Sequence, residues 1–202
     1  MTTNQPTAIK RVILVSGLLE PRCVFWPLKQ MLLKQHSRVD IFNDRVVMRD
    51  TRESVQRLGK LIRPEGLDDS VGIVSHSFGD WVSRQAIANT PDHCVRQLVS
   101  VTPGLKLGLI TAGLHMATLG CIPELNILSD PDSAFLNLDL DNRLPLDNRV
   151  RRTVIWSRID ECVRKVSLEA VPSIEVLDVW ATHLTAVLQP NVMRMITTRF
   201  AN

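Results

Sequence analysis

Along the chain, short apolar runs alternate with segments whose apolar residues recur at helical spacing. Ala8–Val15 is an apolar run bounded by Gly17 and predicts a buried strand. Val24–Lys34 follows with helical periodicity, and Pro27 fits only in its first turn. Val39–Phe42 predicts a short strand. Asp50-Thr51-Arg52-Glu53 has the form of a capping box, and Val55, Leu58 and Ile62 continue it as a helix. Val71–Ser75 predicts the next strand and Phe78–Asn89 the helix after it. Gln97–Val101, Thr153–Ser157 and Ile174–Val179 are further strand candidates. Leu184, Val187, Leu188, Val192, Met195 and Ile196 predict a closing amphipathic helix, kinked or restarted at Pro190.

Strands alternating with helices predict an α/β fold: a mainly parallel sheet of about six strands with helices on both faces. Sites in such folds lie at the carboxyl ends of the strands. One region breaks the alternation. Residues 103–150 hold no clear strand, and they predict a cap-like insertion over that edge within a single domain spanning 1–202.

The candidate chemistry sits on the same edge. Ser75-His76-Ser77-Phe78-Gly79 places Ser77 where a strand turns abruptly into a helix, so its hydroxyl is presented away from the sheet. A serine hydroxyl attacks only with a base in reach, and the base needs a carboxylate to fix its tautomer. After such a turn the expected chain order is serine, acid, histidine. Asp160, past the Thr153–Ser157 strand, and His183, past Ile174–Val179, satisfy that order. Glu161, Asp178, Asp141 and Asp147 are rival acids. His76 reads as a packing or local hydrogen-bonding residue. His36, His93 and His115 lack ligand spacing, so no metal and no cofactor are expected.

At these residues the sequence resembles the α/β-hydrolase superfamily, in particular its small lipase- and esterase-like members. Val15-Ser16-Gly17-Leu18 is similar to the family's oxyanion loop. Ser75–Gly79 is similar to its nucleophile elbow, Ser157–Val163 to its acid loop, and Ala181–Leu184 to its histidine loop. The resemblance implies Ser77 as nucleophile, His183 as base and Asp160 as orienting acid. It also implies an oxyanion hole from the N–H groups of Leu18 and Phe78, with Gly17 allowing close approach of the substrate. The implied reaction is hydrolysis of an ester or thioester with an apolar acyl group. Two positions depart from the pattern: Ser75 stands for the elbow's first glycine, and Ser16 for the oxyanion-loop histidine. They sustain an alternative, a non-catalytic protein of the same fold that binds an apolar ligand or a protein partner.

The bulk numbers narrow the partners. The net charge of +3 is spread along the 202 residues, and aromatic content is 4% without tyrosine, which argues against nucleic-acid binding. Cys23, Cys94, Cys121 and Cys162 are far apart and read as reduced thiols of a cytoplasmic protein. The first residues show no secretory pattern. The uncharged stretch Leu107–Ile122 is shorter than the roughly 20 residues that span a bilayer, so stable membrane insertion is not expected. It reads either as a core helix or as the wall of an acyl pocket, with Leu109 and Leu114 contributing to substrate binding.

Overall fold

The computed structural model describes residues 8–42, 44, 50–66, 69–140 and 149–201. Six strands form one sheet: β1 (Arg11–Val15), β2 (Arg38–Phe42), β3 (Val71–His76), β4 (Val95–Val101), β5 (Arg151–Ile159) and β6 (Ile174–Thr182). Their order is β2-β1-β3-β4-β5-β6, and every neighbouring pair is parallel. Parallel pairing demands crossovers, which the helices supply. These are α1 (Trp26–Leu32), α2 (Thr51–Leu61), α3 (Gly79–Ala88), α4 (Leu109–Ala117), α5 (Pro123–Ser129), α6 (Pro131–Ala134) and α7 (Pro190–Ala201).

Strand alternation decides which helix covers which face. Val12, Leu14, Val74, Val99 and Ile155 point to one side and pack with Leu28 and Leu32 of α1 and Val192, Ile196 and Phe200 of α7. Ile13, Val15, Val71 and Ile73 point to the other, against Val55 and Leu58 of α2 and Val82 and Ile87 of α3. Val154 and Trp156 of β5 close a third cluster with Leu105, Val163 and Leu168. The Asp50 carboxylate accepts from the Arg52 N–H at 2.9 Å and caps α2, but the reciprocal bond of a capping box is not made, because the Glu53 carboxylate pairs with Arg57 instead. The closing helix restarts at Pro190. A short 3-10 turn, Ala186–Leu188, precedes it, and α7 begins on the proline, whose missing N–H costs nothing at a first helical position.

A buried ionic cluster ties the β4–β5 connection to the body of the protein. Asp80 in the first turn of α3 accepts from Arg84 Nε at 2.8 Å, from an Arg152 terminal nitrogen at 2.9 Å and from Ser100 Oγ at 2.5 Å. The guanidinium groups continue outward. Arg84 donates to the carbonyls of Ala134 and Leu136, and Arg152 to that of Leu138. Both arginines and the aspartate are almost wholly buried. Burial works against ionisation of Asp80, but the two guanidinium charges and the bonds from Ser100 and Arg84 outweigh it and hold its carboxyl below the usual range. Burial pushes Arg152 down to about 10, against the pull of Asp80. Two of the three short helices in the connection are anchored by buried residues, Leu125, Leu128 and Ala134. The third, α4, buries none.

Candidate active site

The chain runs from β1 to the edge strand β2 and returns to the other side of β1 as β3, so β1 and β3 flank a topological switch. A crevice opens at the carboxyl ends of such strands. Val15 of β1 is level with Ser75 of β3 there, and the next residues of both strands meet. Ser77 leaves β3 with φ +52°, a left-handed conformation that non-glycine residues rarely adopt. Its N–H donates to the Val101 carbonyl, and its carbonyl accepts from Asp80 and Gly104. These bonds fix the turn while the side chain projects from it.

Two glycines make the meeting possible. A Cβ on Gly17 would lie 2.7 Å from Ser77 Cβ and 3.4 Å from Ser77 Oγ. A Cβ on Gly79 would lie 2.6 Å from the Ser16 carbonyl oxygen. The residues that depart from the family pattern are accommodated. Ser75 is fully buried, with its Oγ 3.4 Å from Ser100 Oγ, so it joins the polar chain that leads to Asp80. Ser16 is buried at the end of β1. The Gly17 N–H donates to Glu20, whereas the N–H groups of Leu18 and Phe78 have no acceptor among the described residues.

Of the rival acids, Asp160 is the one aimed at His183. Its Oδ2 lies 2.9 Å from His183 Nδ1, and its Oδ1 accepts from the N–H groups of Cys162 and Val163 at 2.9 and 2.8 Å. The carboxylate is 4% exposed and His183 5%, so the pair is screened from water. Glu161 accepts from the His183 backbone N–H at 3.2 Å and does not orient the ring. Asp178 pairs with Lys165 at 2.6 Å on the surface. Asp141 and Asp147 lie outside the described residues. The Cys162 thiol is pushed up to about 11, first by burial and then by the charges of Glu161 and Asp160, which leaves it unactivated.

His183 reaches the neighbourhood of Ser77 through His76. The two imidazole rings lie 4.8 Å apart between centroids, tilted by 38°, and His76 immediately precedes Ser77. His76 also contacts Glu20, which lies between Leu19 and Pro21 and is not among the residues that sequence reasoning singled out. The signal that could have found it is His76 itself, a polar ring at the buried end of a strand that needs a partner.

Of its two expected settings, the apolar stretch after β4 does not take the core one. It is not a core helix, because α4 buries no residue. Leu109 is 87% exposed and Leu114 36%. The N-terminal turn of α4 is instead tied to the acid loop. The N–H groups of Gly108 and Ile110 donate to the carbonyls of Cys162 and Glu161 at 2.9 and 3.0 Å.

No family model matches the sequence, and no curated protein matches it. Solved structures do match the fold. The chain is similar to a structure from the pair of metagenome-derived lipolytic enzymes LipS and LipT, with a TM-score of 0.66 at 13% identity over 96% of this chain and 92% of that one. It is similar to the pyrethroid hydrolase PytH, with a TM-score of 0.63 at 13% identity over 95% and 97%. It is also similar to the ydeN gene product of B. subtilis, with a TM-score of 0.60 at 18% identity over 96% and 100%. The six-stranded parallel sheet with its covering helices is an α/β-hydrolase fold.

Proposed function

We propose that this chain is a serine hydrolase that cleaves a carboxylic ester or thioester with an apolar acyl group. The observation that carries the reading is the buried Asp160–His183 hydrogen bond, 2.9 Å long, on the same strand rim as the left-handed Ser77. In this reading Ser77 Oγ attacks the substrate carbonyl carbon while His183 Nε2 takes its proton. Asp160 holds the Nδ1–H tautomer and offsets the charge that develops on the ring. The negative charge on the carbonyl oxygen is met by the N–H groups of Leu18 and Phe78, which are unspent in the resting fold. His183 returns the proton to the leaving alcohol or thiol as the C–O or C–S bond breaks. Water then attacks the acyl-enzyme with His183 again as base, and the acid is released with Ser77 restored. No cofactor enters these steps.

An apolar acyl group is supported by the exposed apolar side chains around the rim: Leu19 at 69%, Leu109 at 87% and Leu184 at 63%. Segment 103–150 would then act as the cap, with Leu109 and Leu114 of α4 receiving the acyl chain and Gly17 leaving room for the carbonyl. Four free cysteines, and no helix among the described residues long and apolar enough to cross a membrane, support a cytoplasmic setting.

The test is labelling of the purified protein with a fluorophosphonate, the adduct being located by mass spectrometry. Labelling at Ser77 that disappears in Ser77→Ala and weakens in His183→Ala is the expected result. A folded wild-type protein that takes up no label overturns the hydrolase reading and leaves the non-catalytic alternative.

A further inference from the structure

His76 and Glu20 form a second buried histidine–carboxylate pair one residue from Ser77. The His76 side chain is 1% exposed and that of Glu20 4%. Glu20 Oε2 lies 2.9 Å from His76 Nδ1, and the same oxygen accepts from the Gly17 N–H at 2.8 Å. On the far side of the ring, His76 Nε2 lies 3.1 Å from the backbone carbonyl oxygen of His183. Three loops therefore converge on one imidazole: the oxyanion loop after β1, the elbow after β3 and the histidine loop after β6.

The hydrogen-bonding capacity of these groups fixes the protonation state. A backbone carbonyl can only accept, and so can an ionised carboxylate. A neutral imidazole carries one N–H and can serve only one of the two oxygens that face it. An imidazolium serves both. We infer that His76 is a buried imidazolium which, paired with Glu20, positions the oxyanion loop and the loop of the general base around Ser77. The role rests on the reading of Ser77 as nucleophile and adds to it two positioning residues that do not touch substrate.

The charges around the ring are consistent with this. Glu20 faces it from the loop after β1 and Asp160 from the loop after β5. His183 faces it from the loop after β6 with its ring nearly against it, and Glu161 lies behind the His183 backbone. The three carboxylates accommodate one fixed positive charge. Burial alone would strip the proton from His76, yet the Glu20 charge and its hydrogen bond, then the bond to the His183 carbonyl and the Asp160 charge, raise its pKa above the ordinary histidine value. Burial likewise opposes ionisation of Glu20, but His76 and the Gly17 N–H hold it below the ordinary carboxylate value.

A raised histidine pKa sets the direction of the pH effect. The tie is intact at and below the ordinary histidine range and is lost as pH rises through the raised value. Deprotonation leaves one acceptor unserved and frees the loops from each other. Serine reactivity therefore falls on the alkaline side for a reason that does not involve deprotonation of Ser77 or His183.

The experiment measures the rate of fluorophosphonate labelling from about pH 6 to about pH 10, which brackets the ordinary histidine range. It compares the wild type with Glu20→Gln and Glu20→Ala. Glutamine keeps the size and an acceptor for Gly17 but removes the charge that holds the proton on His76. The expected result is an alkaline limb that moves to lower pH in Glu20→Gln. In Glu20→Ala, labelling is expected to slow about 10- to 100-fold at every pH, the scale of a small misplacement at a reacting centre. Nitrogen-15 NMR of the wild-type histidines, with His76 assigned by its loss in His76→Asn, is expected to show both ring nitrogens protonated at neutral pH. The protonation state itself is read from the wild-type protein, and only the assignment uses the variant. A neutral His76 ring overturns the inference. So does a Glu20→Gln protein that labels like the wild type in rate and pH profile while the wild type labels at Ser77. A wild type that does not label overturns the hydrolase reading and the positioning role with it.

Discussion

Asp80→Asn is a one-atom change that tests how the elbow helix and the β4–β5 connection are held. In the native protein one carboxylate, with no exposure to water, stands between two guanidinium groups that are themselves buried. The amide of asparagine keeps the volume but removes the charge, and it turns an N–H₂ donor toward guanidinium donors that cannot accept from it. Breaking a buried ion pair by removing one partner costs about 3–5 kcal/mol. For a domain of this size each kcal/mol moves the melting temperature by about 2–4 °C, so the expected loss is about 6–20 °C. The assay is thermal unfolding by circular dichroism at neutral pH, repeated in acid. The Asp80 pKa is lowered on folding, so its contribution is complete above the ordinary carboxylate range and fades only as pH falls through the lowered value. The gap between wild type and variant is therefore flat from neutral to mildly acidic solution and closes only in strong acid. A variant that melts within about 2 °C of the wild type would refute the claim that the two arginines depend on this carboxylate.

Two further outcomes follow from local geometry. Ser77→Gly is expected to be about 1 kcal/mol more stable than Ser77→Ala, because glycine relieves the left-handed φ of +52° and alanine does not. Parallel melts in denaturant check this, and an alanine variant at least as stable as the glycine one would show that the turn stores no strain. Iodoacetamide at neutral pH is expected to alkylate the exposed Cys23 and Cys121 well before Cys94 and Cys162, whose thiols are pushed up to about 11, chiefly by burial. Peptide mapping over time reads the order, and early modification of Cys162 would contradict its unactivated setting.

The parallel sheet was legible because its strands are short apolar runs with helical periods between them, and Val71–Ser75 could hardly be anything but a strand. Ser77, Asp160 and His183 were legible for a related reason. Each sits just past such a run, and that position alone carries it to the rim. What the chain hid were contacts made across sequence distance. Nothing near Asp80 announces Arg152, 72 residues away, and nothing near Glu20 announces His76. Their burial is a property of how loops close over the sheet, which local patterning does not encode. The stretch around α4 was ambiguous for the opposite reason. Its apolar residues go nearly all the way round the helix, and hydropathy without a polar face does not say which side, if any, meets the protein.

The strand order also sets the sequence in which the proposed site is completed along the chain. From β3 onward, each strand is laid down against the one made before it, so the sheet grows outward in the order of synthesis. A nascent chain can form the strained turn at Ser77 once β1, β3 and β4 are paired. Asp160 and His183, the acid and base of the proposed reaction, come last in the chain, after the two outermost strands on that side. Under the proposed mechanism, a chain stopped or clipped before His183 lacks the base and does not acylate Ser77, so activity requires the last strand.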